Sequence, residues 1–144
     1  MKVTQTDLKG CFILEPKIFN DGRGYFFESF NKKVFEEKIG LTVNFVQDNQ
    51  SISQRGTIRG LHIQKGKFAQ AKIVKVIKGK VLDVVVDVRE NSKTFGQYFS
   101  CVLSEKNKKQ LFIPRGFAHG YSVLENNTIF VYKYIHSFSQ LCIL

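Results

Sequence analysis

Tryptophan is absent from this 144-residue chain, proline occurs twice, methionine once and histidine three times. Fourteen phenylalanines with many valines and isoleucines favour strands over helices, with aromatic bulk for packing between sheets. The three cysteines, Cys11, Cys101 and Cys142, stand far apart and lack any Cys-x-x-Cys spacing. That argues against a disulfide framework and a cysteine zinc site, and fits a reducing cytoplasm. Residues 1–7 lack the apolar core of a signal peptide, and no run approaches the length of a membrane span. No membrane partner is expected. Glycine-rich dinucleotide and phosphate loops are missing, as is a Gly-x-Ser-x-Gly nucleophile elbow.

Acids are scarce as well, 12 against 22 Lys and Arg, for a formal charge of +10. Anionic small molecules or polyanions are the natural partners of such a chain. Nucleic acid fits poorly, because the lysines are spread over several strands with no aromatic-interleaved basic motif. The length and a hydrophobic content of 43% suffice for one core. Residues 1–144 therefore read as a single domain whose end, after about residue 134, is an atypical apolar tail.

The residues that are present read as strands. Candidates are 11–16, 24–29, 44–51, 58–64, 71–77, 81–88, 98–103, 109–113, 121–124 and 128–135, separated by Gly, Asn, Asp and Ser. Within 81–88, Leu82, Val84, Val86 and Val88 alternate with Asp83, Val85 and Asp87, the period of a half-buried antiparallel strand. Lys78-Gly79-Lys80 reads as a tight hairpin turn between 71–77 and 81–88. One surface helix is predicted over 32–39, with Asn31 as N-cap and Gly40 just past its end. Residues 104–107 read as a helical turn or a loop. So many short strands imply an all-β sandwich or jelly roll.

Two of the three histidines stand in similar frames, Thr57-Ile58-Arg59-Gly60-Leu61-His62-Ile63-Gln64 and Pro114-Arg115-Gly116-Phe117-Ala118-His119-Gly120. Each frame sets a histidine beside an arginine and a glycine turn. A lone histidine is more often a satisfied structural residue than a functional one, but imidazole is also the side chain whose ordinary pKa suits proton transfer near neutrality. Two such frames make His62 and His119 candidates for chemistry. The metal pattern of two histidines one residue apart, a carboxylate and a distant third histidine is absent, since Ile63 and Gln64 follow His62. A metal-free site without a cofactor is expected.

Further segments carry a specific resemblance: Asp21-Gly22-Arg23-Gly24-Tyr25-Phe26-Phe27-Glu28, Phe45-Val46-Gln47-Asp48-Asn49-Gln50-Ser51, Ala69-Gln70-Ala71-Lys72, Asp83 to Arg89 and Val131-Tyr132-Lys133, together with both histidine frames. In this order and without gaps inside the blocks, the chain to about Lys133 resembles the dTDP-4-dehydrorhamnose 3,5-epimerase family. The resemblance implies a cupin-type jelly roll, or double-stranded β-helix, that forms a homodimer and acts on a dTDP-4-keto-6-deoxyhexose nucleotide-sugar. It implies His62 as the base, Lys72 as the cation that stabilises the enolate oxygen and Tyr132 as the acid on the opposite face. His119 would be a hydrogen-bonding neighbour of the sugar. Arg23, Glu28, Gln47, Asn49 and Arg59 match ligand-holding positions, with Arg23 and Glu28 reaching the neighbouring subunit's site. Phe138 falls where an aromatic stacks on thymine.

Family members continue past this endpoint, and the carboxylate that orients the catalytic histidine belongs to that continuation. The expectation is therefore sound ligand recognition with weak turnover, since an unoriented base loses control of tautomer and basicity. Alternatives within the fold are a 3,4-ketoisomerase or a single-centre epimerase on a similar substrate. From another class comes a catalytically silent nucleotide-sugar-binding cupin.

Overall fold

The structure, a computed structural model, describes residues 1–136. Its strands are β1 (Lys2–Gln5), β2 (Phe12–Glu15), β3 (Ile18–Asp21), β4 (Gly24–Phe27), β5 (Gln47–Ser53), β6 (Ile58–His62), β7 (Lys72–Lys78), β8 (Lys80–Asp87), β9 (Tyr98–Ser104), β10 (Gln110–Ile113), β11 (Phe117–Val123) and β12 (Thr128–Tyr134). One helix, α1 (Lys32–Ile39), lies between β4 and β5. A six-stranded sheet runs β1-β2-β10-β7-β12-β5, a four-stranded sheet runs β6-β11-β8-β9, and β3-β4 forms a separate ribbon. Every pairing is antiparallel. From β5 to β8 the chain changes sheet at every connection, as a jelly roll requires.

This crossing corrects the hairpin expected at Gly79. β7 pairs with β10 and β12, while β8 pairs with β11 and β9, so Gly79 turns the chain from one sheet to the other. The residue does need glycine: its φ is +82°, and a Cβ would stand 2.3 Å from Thr128 Oγ1. Strands β1 and β3 were not anticipated. Alternation along β8 is as read, and its inward face is the acid-bearing one, with Val81, Asp83, Val85 and Asp87 buried.

The α1 boundaries match the expectation. Asn31 accepts from the Val34 amide, and Gly40 closes the helix in the left-handed region at φ 75°. Phe35 on this helix is fully buried. It packs with Phe30, Phe45, Leu14, Ile73 and Phe112 on the outer face of the large sheet. Between the sheets lies a second core that includes Val74, Val76, Val81, Val85, Leu103, Leu111, Ile113 and Phe130. Residues 105–107 form a turn, closed by reciprocal bonds between Asn107 and Ser104, the last residue of β9.

Candidate active site

The two histidine frames meet. β6 and β11 pair antiparallel, and the register sets His62 opposite His119. Gly60 and Gly120 make this approach possible. A Cβ on Gly60 would lie 2.5 Å from the His119 carbonyl oxygen, and one on Gly120 would lie 2.6 Å from the Arg59 carbonyl oxygen, contacts that no side chain tolerates. Both glycines thus lie inside strands, Gly60 within the stretch read as one and Gly120 ahead of the expected start at 121, and allow two backbones to close. The imidazole rings stand edge to face with centroids 6.3 Å apart.

His119 is fully buried. Its Nε2 lies 2.9 and 3.1 Å from the two carboxylate oxygens of Asp83, on the adjacent strand β8. A carboxylate only accepts, so Nε2 carries the proton and Nδ1 is left as an acceptor. Nδ1 is buried and has no hydrogen-bond partner among the described residues. Burial lowers the His119 pKa, with Asp83 opposing and Lys72 adding to the shift. Asp83 is a site residue that sequence reasoning missed. Its signal was an acid on the inward face of a strand, but nothing local revealed that a histidine would lie beside it.

Across the interior the large sheet contributes Lys72 from β7 and Tyr132 from β12. Lys72 is buried, and its Nζ lies 5.9 Å from the centre of the Tyr134 ring. Desolvation lowers its pKa to about 8, with Asp83 pulling the other way. His62 is half-buried; burial, then Lys72 and His119, lower its pKa to about 4, so it is a neutral proton acceptor at neutral pH. Tyr132 is buried and donates to Tyr121 Oη at 3.0 Å. Burial first, then the Tyr121 hydrogen bond, push its phenol well above the usual range.

β5 lines the same interior with Gln47, Asn49, Ser51 and Ser53. Gln47 donates to Asn49 Oδ1 at 2.8 Å, and Arg59 Nε donates to Ser53 Oγ at 3.1 Å. Arg23 and Glu28 are not brought to this group. Arg23 tips the exposed β3–β4 ribbon, its side chain 92% exposed and paired with Asp21 at 2.6 Å. Glu28 is exposed and accepts from Asn31. Phe138 lies outside the described residues. A cleft of about 1140 Å³, lined by Lys9, Gln64, Arg89 and Lys93 among others, contains none of His62, Lys72, His119 or Tyr132. Convergence of titratable groups, rather than volume, locates the site. Among the described residues no three His, Cys, Asp or Glu side chains are grouped to hold a metal ion. Nor is any described helix long and apolar enough to cross a membrane.

A family model for dTDP-4-dehydrorhamnose 3,5-epimerase matches residues 5–142. The chain belongs to the dTDP-4-dehydrorhamnose 3,5-epimerase family. The enzyme of that name from Shigella flexneri is 50% identical over 141 residues, which are 98% of this chain and 78% of the relative. The Legionella pneumophila dTDP-6-deoxy-D-glucose-3,5-epimerase, crystallised with dTDP-4-keto-L-rhamnose, superposes with a TM-score of 0.95 at 45% identity, covering 99% of this chain and 76% of that one. These likenesses make the fold a cupin jelly roll. A more distant 3′-monoepimerase from Streptomyces bikiniensis, in complex with dTDP, has a TM-score of 0.91 at 27% identity, covering 96% and 70%. That crystal is of a His→Asn, Tyr→Phe double mutant whose two positions lie as far apart in sequence as His62 and Tyr132. Nothing in these epimerase comparisons supports the weak turnover expected from the endpoint of the chain.

Proposed function

We propose that this chain epimerises a dTDP-linked 4-keto-6-deoxyhexose at C3 and C5. One observation carries the reading: a neutral imidazole, His62, stands on one sheet, and a cation and a phenol, Lys72 and Tyr132, stand on the sheet that faces it. Hydrogens beside a ketone become acidic when the electron pair left behind can move onto the carbonyl oxygen. Inversion then needs a base on one face of the sugar, an acid on the other and a positive charge at the oxygen.

In this scheme His62 takes the proton and Lys72 stabilises the enolate oxygen, a charge placed in advance where negative charge develops. Tyr132 returns a proton from the opposite face, and His119 Nδ1 accepts a hydrogen bond from a sugar hydroxyl. Arg59, Gln47 and Asn49 hold the nucleotide, the guanidinium suiting diphosphate oxygens. The protein works in the cytoplasm as a homodimer, with Arg23 and Glu28 completing the partner's site. The β3–β4 ribbon supports that arrangement: Phe19, Tyr25 and Phe26 on it are 53%, 58% and 71% exposed, and a lone two-stranded ribbon is marginal in water.

Incubation with the dTDP-4-keto-6-deoxy sugar in D2O tests the reading. Deuterium at both C3 and C5 of the product is expected. Label at one centre alone would make the protein a single-centre epimerase, a shifted ketone would make it a ketoisomerase, and no label despite binding would leave a silent binder.

A further inference from the structure

The geometry points to Tyr121 and Ser51 as positioning residues that reload Tyr132 with a proton between the two epimerisations, an inference that rests on Tyr132 being the acid. Tyr121 leaves β11 on the small sheet and reaches across the interior. Its hydroxyl receives the Tyr132 hydrogen bond at 3.0 Å and lies 3.0 Å from Ser51 Oγ on β5. Its ring is clamped on Phe130, with centroids 4.1 Å apart and planes within 17°, and Phe130 is the residue opposite Ser51 in the β12–β5 ladder. Tyr121 is 3% exposed whereas Ser51 is only half-buried, so Ser51 is the end of the line nearer to water.

Two inversions in one turnover consume two protons on the acid side, and a phenol holds one. As each carbon–hydrogen bond forms from the enolate electron pair, the Tyr132 O–H bond breaks, the C4 carbonyl re-forms and a phenolate is left. The Tyr121 hydroxyl then passes its proton to Tyr132, Ser51 passes one to Tyr121, and a water at Ser51 supplies the last. The hydroxide equivalent is neutralised by the proton that His62 releases. Each oxygen ends as it began. A buried phenolate is disfavoured in this apolar surrounding, which drives the return of the proton along the line. A tyrosine hydroxyl bonded only for packing would satisfy a buried donor but would not alter how the two centres share a turnover.

Tyr121→Phe keeps the ring and removes the hydroxyl; Ser51→Ala cuts the line at its outer end. Both variants are assayed in D2O for kcat, KM and the ratio of singly to doubly epimerised sugar, beside Tyr132→Phe. Loss of one hydrogen bond to a charged oxygen should lower kcat about 10- to 100-fold. Singly epimerised sugar should accumulate, dTDP affinity and melting temperature should stay near the parent values, and Ser51→Thr should restore the parental ratio. A parental rate and ratio in Tyr121→Phe, with Tyr132→Phe inactive, would overturn the relay and leave the proposed function standing. Full activity in Tyr132→Phe would instead remove Tyr132 as the acid. Equal loss at both centres, with matching loss of dTDP affinity, would make the line structural and sink the inference. If Tyr121→Phe does not fold, the ratio in Ser51→Ala decides.

Discussion

The large sheet buries an apolar cluster on each face, but only the inner one adjoins the candidate site. On its outer face Phe30, Phe45, Ile73 and Phe112 close on Phe35 of α1, with Lys133 Nζ 5.8 Å from the centre of the Phe30 ring. Its inner face turns Lys72, Tyr132 and Tyr134 toward His62, His119 and Asp83. The division runs between adjacent residues of β7, for Lys72 points to one layer and Ile73 to the other. Apolar burial on one side holds the sheet in place, and that lets the other side keep groups whose burial opposes their charge.

The sharpest way to separate the layers is His62→Asn. Loss of the general base should cost about 10²–10⁴ in rate, while the melting temperature stays near that of the parent. Deuterium exchange at the parental rate would show that another group removes the proton. Phe35→Ala is the converse: a truncated buried phenylalanine should destabilise the fold by about 3–5 kcal/mol, with activity per folded molecule retained. Urea unfolding followed by assay of the native fraction checks both halves.

Smaller effects sharpen the polar side. Arg59→Ala should weaken dTDP binding by about 1.5–3 kcal/mol, the range for hydrogen bonds to charged groups. The loss should shrink as salt is raised, which titration calorimetry at two ionic strengths would reveal. The mildest test is pH. Activity needs neutral His62 and charged Lys72, whose pKa values are lowered to about 4 and about 8. The profile of kcat/KM should therefore rise through the first value and fall through the second. The same His62 shift bears on stability: the unfolded imidazole binds its proton near 6.5 and the folded one near 4. Stability should thus fall as pH drops through that interval. A flat profile across pH 7–9 would remove Lys72 from the charge requirement.

Local chemistry was legible and long-range pairing was not. The α1 caps, the alternation along β8 and ten strand positions follow from residues that are neighbours in the chain. β1 and β3 escaped because Lys2–Gln5 and Ile18–Asp21 are only four residues long, at the edge of a sheet or in a ribbon. The hairpin reading of Gly79 failed because a positive φ fixes a turn but says nothing about which sheet receives the next strand. In the candidate site, spaced blocks singled out His62, Lys72, His119 and Tyr132, and the fold brings their strands together. Asp83 and Tyr121 were given no role, since each meets its partner more than ten positions away.

The repeated change of sheet has a consequence for how the molecule becomes an enzyme. The groups proposed for the chemistry arrive on β6, β7, β11 and β12, and the ladders that bring them together join segments distant in the chain. Such pairings form slowly, because chain closure is costly before the contacts reward it. Collapse of Phe30, Phe35 and Phe45, which are near one another in the chain, can precede them. A nascent or refolding chain should therefore become compact first and competent later, with activity a marker of the final docking of β11 and β12.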